Sequence, residues 1–480
     1  MNDRSTSAKV VRSAELRRLV GTLGDFALGP GPLFRQLARA LAAAIESGTL
    51  AEGARLPSER ALGSALFLSR GTALAAYDQL VADGLVERRP GSGTFVAGAA
   101  ALGLPDGRDG STLVHRLVDS SRTDSGVIDL SISVLHDAVG LPAVTLSTAE
   151  LRAVQPETGY SPWGSSTLRA RVADHLTDWG LPSVPGQVLI TAGAQQGISA
   201  AAACWLRPGD TVVVEDPTYP GAVAAFAQAG ARLVGIAVDG DGVRLDQLER
   251  ALEARPALVY LQPTVHSPTG TILCAPRRRR VAELIGHYRL PLVEDLALAD
   301  LCWGPAPSPI AALCGDASVA VVGSLSKVLW GGLRLGFVRA PEPLALRFAR
   351  VKATTDLGTS AVSQMLAERM LGSDGSVWSA RAPELRRRYQ VLDLCLREQL
   401  GAWRFDEPAG GLSLWVSLGG VDAERFARAA LGHGVAVATA AGLSVSDGHR
   451  DRIRLSFAAP PAVLRRAVDR LRTAWDSLAP

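Results

Sequence analysis

Lys327 lies in GSLSKVLWGGLRLGFV, residues 323–338, of a chain whose 50 Lys and Arg residues include only three lysines, Lys9, Lys327 and Lys352. It occupies a Gly/Ser turn between two apolar runs, 319–322 and 333–338. Condensation with an aldehyde is chemistry that requires a lysine here. A primary amine can deprotonate and attack, whereas a guanidinium stays protonated and is a poor nucleophile. Ser324, Ser326 and Arg334 close by suit a phosphate. The implied ligand carries both an aldehyde and a phosphate, as pyridoxal 5′-phosphate does, with Lys327 as the Schiff-base residue.

Further motifs agree with that chemistry. ITAGAQQGI places Gly193, Ala194 and Gln195 between a strand and a helix, where free backbone N–H groups and the helix dipole can hold a phosphate. LPLVED ends a strand at Asp295, a carboxylate able to pair with a pyridinium nitrogen and keep the ring an electron sink. EDPTYPGA offers Tyr219 as a flat partner for a ring, and RIRLSF offers Arg454 as a bidentate clamp for an α-carboxylate. HSPTG supplies a turn toward the ring hydroxyl, in which His266 reads as a turn residue and not as a base. Arg277 to Arg280 follow Pro276 at the start of a helix and read as a solvated face.

These residues need a scaffold. The runs QVLITAG, TVVVEDP, RLVGIAV, ALVYLQP, LPLVED, SVAVVGS and GLRLGFV are strand-like, with turns and helical stretches between them. Strands alternating with helices make crossover units and a largely parallel sheet covered on both faces, with ligand groups beyond the carboxyl ends of the strands. The last hundred or so residues, with GGLSLWVSLGG, VAVATAAG and RIRLSFA, read as a smaller α+β unit. At 480 residues, 47% hydrophobic and 20% charged, the chain has the composition of a folded protein of two or three domains. The five cysteines lack metal-ligand spacing and read as reduced thiols, which suits the cytoplasm, and no metal is expected. No apolar run is long enough to span a bilayer.

Ahead of this body the charge changes. Residues 1–98 hold 12 Lys and Arg against 9 Asp and Glu, leaving 38 of each for the remainder, so the whole excess of positive charge lies in the first fifth. Leu33, Leu37, Leu41 and Ile45 have helical spacing up to Gly48; a short helix follows Ser58, and a third is capped by Ser69 and ends at Gly84. LVERRPGSGTFV then has the pattern of a hairpin. Two short helices joined by a tight turn and followed by a basic hairpin make a winged helix-turn-helix, whose second helix can enter the major groove. Residues 99–125 break periodicity with Gly, Asp, Ser and Pro and read as a linker between domains at 1–98 and 126–480.

Residues 32–97, with LPSER, SR-T and GSGTFV in order, resemble the DNA-binding domain of GntR-type bacterial regulators. That resemblance implies that Arg55, Ser58 and Arg60 face phosphates or base edges and that Ser69, Arg70 and Thr72 begin the recognition helix. Arg88, Arg89, Gly91, Ser92 and Gly93 would approach the backbone or minor groove of operator DNA. Residues 126–480 resemble the fold-type I aminotransferases, and the fusion of the two resembles the MocR subfamily. It implies a head-to-tail homodimer in which Tyr160 reaches the partner's cofactor phosphate. Two positions depart from the aminotransferase pattern: Ala297 stands where a tyrosine is usual and Ser267 where NPTG has asparagine.

Two functions are compatible with this reading. One is a regulator that binds DNA through its head and pyridoxal phosphate through its body, sensing a small amine or amino acid, or the cofactor itself. The other is an aminotransferase with an accessory DNA-binding head. Ala297 and Ser267 leave fewer donors for the cofactor's O3′, so weak turnover is expected.

Overall fold

Ser58 and Ser69 begin the two short helices of the head by accepting backbone hydrogen bonds from the first turn. Ala61 N donates to Ser58 Oγ at 3.2 Å, and Thr72 N donates to Ser69 Oγ at 3.0 Å. The computed structural model describes residues 20, 23, 32–46, 50, 53–82, 85–89, 93–96, 126–135, 143–153, 159–315, 318–372, 376–446 and 448–478. The chain divides into two units, 1–107 and 108–480. The expected linker, 99–125, and Gly84 lie outside the described residues.

The head comprises α1 (Leu33–Glu46), α2 (Glu59–Ala65), α3 (Arg70–Ala82) and a hairpin of β1 (Val86–Arg89) and β2 (Gly93–Val96). Leu37 and Leu41 of α1 are fully buried with Leu62, Ala73, Ala76, Tyr77 and Leu80, and Val86 pairs with Val96 to close this core from the hairpin. Leu33 was expected on the same apolar face but remains 38% exposed, because it occupies the first helical position, where little lies above it. The Tyr77 hydroxyl donates to the Pro57 carbonyl at 2.9 Å and so ties α3 to the LPSER turn. In the turn before α3, Phe67 adopts a left-handed conformation with φ 56° and is 97% exposed. An L-residue other than Gly or Asn is disfavoured there by roughly 1–2 kcal/mol, and an exposed ring recovers nothing by burial. Phe67→Asn should therefore stabilise the head by about 1 kcal/mol, read as a raised denaturation midpoint of the head transition in the full chain. An unchanged or lowered midpoint would contradict this.

The body is built on an eight-stranded sheet in the order β4 (Val188–Thr191), β11 (Gly336–Arg339), β10 (Val319–Ser324), β9 (Leu292–Asp295), β8 (Leu258–Leu261), β5 (Thr211–Asp216), β6 (Arg232–Asp239) and β7 (Gly242–Val243). Successive strand residues face opposite layers: Val213, Val259, Leu292 and Val321 join one hydrophobic cluster, while Val212, Val214, Tyr260, Val293 and Val322 join another. β10, β9, β8, β5 and β6 are parallel, as expected. The run at 333–338 departs from that expectation, since β11 is antiparallel to both β10 and β4. Its connection from β10 is only 325–335, too short for a crossover helix.

The smaller unit is α+β, as expected. Strands β12 (Ser413–Ser417), β15 (Arg452–Ser456) and β14 (Ala438–Thr439) form an antiparallel sheet under the helices Arg381–Gln399, Ala423–Gly432 and Pro461–Asp476. The start of the body returns here, because β3 (Ile128–Asp129) pairs with β13 (Val435–Ala436). All five cysteines are free thiols. No described helix is long and apolar enough to cross a membrane, and no metal-binding cluster occurs among the described residues.

Candidate functional site

The carboxyl ends of β4, β5, β9 and β10 bring Gly193, Tyr219, Asp295, Ser324 and Lys327 to one side of the sheet. Lys327 follows β10 in the short helix Leu325–Val328, and its Nζ donates to the Ser133 carbonyl at 2.6 Å. Burial and the neighbouring positive charges of Arg454 and Arg334 push its amine down to about 8, against the opposing pull of Asp295. A lysine held there exchanges its proton near physiological pH, which a nucleophilic amine requires.

Asp295, at the end of β9, is 3% exposed. It accepts from the Tyr260 hydroxyl at 2.6 Å and from Ala297 N at 2.8 Å. Burial raises its carboxyl above the ordinary value, and the bonds from Tyr260 and Ala297 and the charge of Lys327 work against that rise. Two further buried titratable groups nearby are mostly neutral at pH 7. Glu215 is pushed up to about 8 by burial, opposed by the hydrogen bond from Gln262 N and reinforced by Asp295, and burial pushes His266 down to about 3. Their nearest atoms are 3.7 Å apart, too far for a good hydrogen bond, and with both neutral at pH 7 the contact is no ion pair. A cationic ring nitrogen against Asp295 would offset the burial of its charge.

Thr191 to Gln195 form a cradle beyond β4. Gly193 has φ 85°, and a Cβ there would lie 3.2 Å from Arg334 Nη2, so the turn needs glycine both for its conformation and for the approach of Arg334. Arg334 Nη2 donates to the Ala192 carbonyl at 3.3 Å. Helix Ala194–Trp205 begins at this turn and points its first N–H groups out of it. The Gln195 amide donates to the Gly221 carbonyl at 2.8 Å, beside Tyr219. Burial raises the Tyr219 phenol to about 12, with Asp295 adding and Arg454 and Arg334 opposing. Ser324 is buried at the end of β10.

Arg454 is 4% exposed on β15, the central strand of its sheet, and its Nη2 donates to the Ser131 carbonyl at 2.5 Å. The buried oxygens Gln195 Oε1, Thr218 Oγ1 and Gln262 Oε1 have no hydrogen-bond partner. Buried polar atoms are seldom left so. The two amide oxygens can only accept, so they suit a hydroxyl or N–H of a ring ligand, while the glycine-lined cradle with its N–H groups suits a phosphate.

Two expectations change. Ser326 does not face the cradle: its hydroxyl donates to the Leu335 carbonyl at 3.1 Å and accepts from Leu335 N at 3.2 Å, locking the 325–335 connection. Arg278 is not solvated. It is 3% exposed and donates to the Pro263 carbonyl at 2.6 Å and Thr264 Oγ1 at 2.7 Å, because its place on the helix Ala275–Tyr288 faces the sheet. Tyr160 is 64% exposed. Tyr260, Glu215, Ser131 and Ser133 were not singled out from the sequence; YLQP preceding HSPTG could have pointed to Tyr260.

In the head, Arg60, Ser69 and Arg70 are exposed around the start of α3, while the Thr72 hydroxyl is engaged with Ser69 Oγ at 2.8 Å. Arg55 lies against Gly93, where a Cβ would come 3.0 Å from its Nε. Arg88 pairs with Asp78 at 2.6 Å, and Arg89 pairs with Glu87 at 2.6 Å and covers the Phe95 ring at 4.5 Å. Two wing cations are thereby partly neutralised. Gly91 and Ser92 lie outside the described residues.

A winged helix-turn-helix head joined to a fold-type I body with a pyridoxal phosphate site defines the class. The aminotransferase class I and II profile matches residues 125–471, and the profile of bacterial regulatory proteins of the gntR family matches residues 33–96. The chain belongs to both families in tandem and is a MocR-type regulator. It is 30% identical over 410 residues to the uncharacterized HTH-type transcriptional regulator YisV of Bacillus subtilis, covering 80% of this chain and 84% of that one. With the probable rhizopine catabolism regulatory protein MocR of Rhizobium meliloti it shares 28% identity over 93% of this chain and 94% of the relative. The crystal structure of LysN, the α-aminoadipate aminotransferase of Thermus thermophilus, superposes with a TM-score of 0.67 at 29% identity, covering 78% of this chain and 96% of that one. The cofactor is pyridoxal 5′-phosphate, and the protein is a DNA-binding transcription regulator with an aminotransferase-like domain.

Proposed function

We propose that a small amine or amino acid, or the cofactor itself, entering the Lys327 site changes the affinity of the head for operator DNA. The observation that carries this reading is the coexistence, in one chain, of an exposed recognition-helix start at Ser69 and Arg70, with Arg60 exposed on α2, and a constellation of half-buried Lys327 with buried Asp295 and Arg454. When bound, pyridoxal phosphate supplies an electrophilic aldehyde carbon and an electron-withdrawing ring. Lys327 would hold that carbon through its amine, Asp295 would pair with the ring nitrogen and favour its cationic form, and Tyr219 would lie against the ring. The N–H groups of Gly193 to Gln195, with Ser324 and Arg334, would take the phosphate. Arg454 takes the ligand's carboxylate. Residues 1–98 form the DNA-binding domain, 99–125 the linker and 126–480 the sensing domain, in a cytoplasmic head-to-tail homodimer where Tyr160 serves the partner's site.

Ala297 and Ser267 supply neither a phenol nor an amide toward O3′, so proton transfer at the ligand's α-carbon is slow. The test is to titrate the full-length dimer with amino acids while recording the visible cofactor absorption and the retention of operator DNA. A ligand should change both with little keto acid formed. Arg60→Ala and Arg70→Ala should each cost about 1–3 kcal/mol of DNA affinity where they contact bases. Multiple turnovers with a keto acid acceptor at an ordinary enzyme rate, on the order of 1 per second or faster, would favour the aminotransferase instead.

A further inference from the structure

Lys352 is buried to 1% exposure in helix Glu342–Asp356, in a chain with three lysines. It takes no part in the cofactor site described above, and a buried ammonium needs a structural reason. Its Nζ donates to both oxygens of Asp356, at 2.8 and 2.9 Å. Gly358 N donates to Asp356 Oδ1 at 3.0 Å, and Gln196 Nε2 donates to Asp356 Oδ2 at 2.9 Å. The carboxylate is therefore held by three donors and cannot rotate without breaking one.

Gln196 uses its other end on the cradle. Ala192 N donates to Gln196 Oε1 at 2.8 Å, so the amide spans from Asp356 to the backbone of the turn that carries Gly193. On the opposite side of that peptide segment, Arg334 holds the Ala192 carbonyl. With its N–H and C=O both engaged, Ala192 presents the N–H groups that follow it in one direction. Gly358, at φ 144°, abuts Ser161: a Cβ there would lie 2.7 Å from the Ser161 carbonyl oxygen. The same carboxylate is thus anchored against the segment next to Tyr160.

We propose that Lys352, Asp356 and Gln196 form a brace, anchored on the buried Lys352, that positions the phosphate-binding turn, making them positioning residues for cofactor capture. The proposal rests on the assignment of Gly193 to Gln195 to the phosphate. It predicts an effect specific to the phosphate. Preorganised N–H donors favour a phosphate and do nothing for an aldehyde lacking one.

The experiment titrates full-length apoprotein with pyridoxal 5′-phosphate and separately with pyridoxal, reading the visible absorption of the lysine-bound ring. In Gln196→Met and Lys352→Met, affinity for the phosphorylated aldehyde should fall by about tenfold or more, while affinity for pyridoxal stays within about twofold of the parent. Gln196→Met leaves the Lys352–Asp356 pair intact and so provides a folded variant even if the buried ammonium proves necessary for folding. An unchanged preference for the phosphorylated ligand, or equal losses for both ligands, would overturn the brace alone. A parent protein with no preference between the two ligands would overturn the phosphate assignment beneath it.

Discussion

Lys327→Ala is expected to purify without the visible absorption of the parent, and borohydride should fix no cofactor to it. The loss should be complete, because no arginine can substitute and the one other described lysine is locked onto Asp356. A borohydride-stable adduct in the variant would place the reactive amine elsewhere, with Lys352 the first candidate. The parent should also show a characteristic pH dependence. Burial and the charges of Arg454 and Arg334 hold the Lys327 amine down to about 8. Below that value the group is an ammonium and cannot attack; above it the free amine predominates. Capture of cofactor by apoprotein should therefore accelerate as pH rises and level off above about 8. A profile still climbing toward the ordinary lysine value would show that the folded site does not depress it.

Arg454→Ala should raise the concentration of a carboxylate-bearing ligand needed to alter DNA binding by about a hundredfold, the scale of losing a buried charge-assisted pair. Cofactor loading at equilibrium should remain close to the parent, since Asp295, Lys327 and the cradle belong to other elements of the fold. The measurement is a ligand titration of operator retention beside a cofactor titration. A variant that loses loading and response together would place Arg454 in the cofactor's own support. A variant that keeps its response would imply a ligand without a carboxylate, or the cofactor itself, as the signal.

Much of this site was legible because its parts are local in sequence. Lys327 is distinguished by composition, Asp295 by its place at a strand end, and Gly193 by the strand-to-helix turn. The head was legible for the same reason: Ser58 and Ser69 are side-chain caps whose partners lie three residues on. What escaped depends on register. Tyr260 reaches Asp295 because β8 and β9 pair Tyr260 with Val293, and no periodicity within either strand encodes that offset. Ser131 and Ser133 reach Arg454 and Lys327 across 323 and 194 residues of sequence, next to a pairing of β3 with β13 too short to leave a pattern. Arg278 was misread because a run of four arginines looks uniform, whereas a helix turns one of them inward. Ser326 was misread because a hydroxyl beside a reactive lysine can equally serve the backbone.

The Ser131 and Ser133 carbonyls have a consequence for energy transmission. They hold the guanidinium of Arg454 and the amine of Lys327, the two groups that an amino acid ligand and the cofactor would claim. A carboxylate arriving at Arg454 competes with a peptide oxygen already in place, so part of its intrinsic affinity goes into releasing the chain at Ser131. That chain is the first stretch of the body after the 99–125 segment leading from the head. If operator binding favours one position of this stretch, thermodynamic linkage makes the effect mutual: DNA would change ligand affinity by the same factor by which ligand changes DNA affinity. On the proposed function the two carbonyls would then set a threshold, and ligands that cannot displace them would bind without signalling.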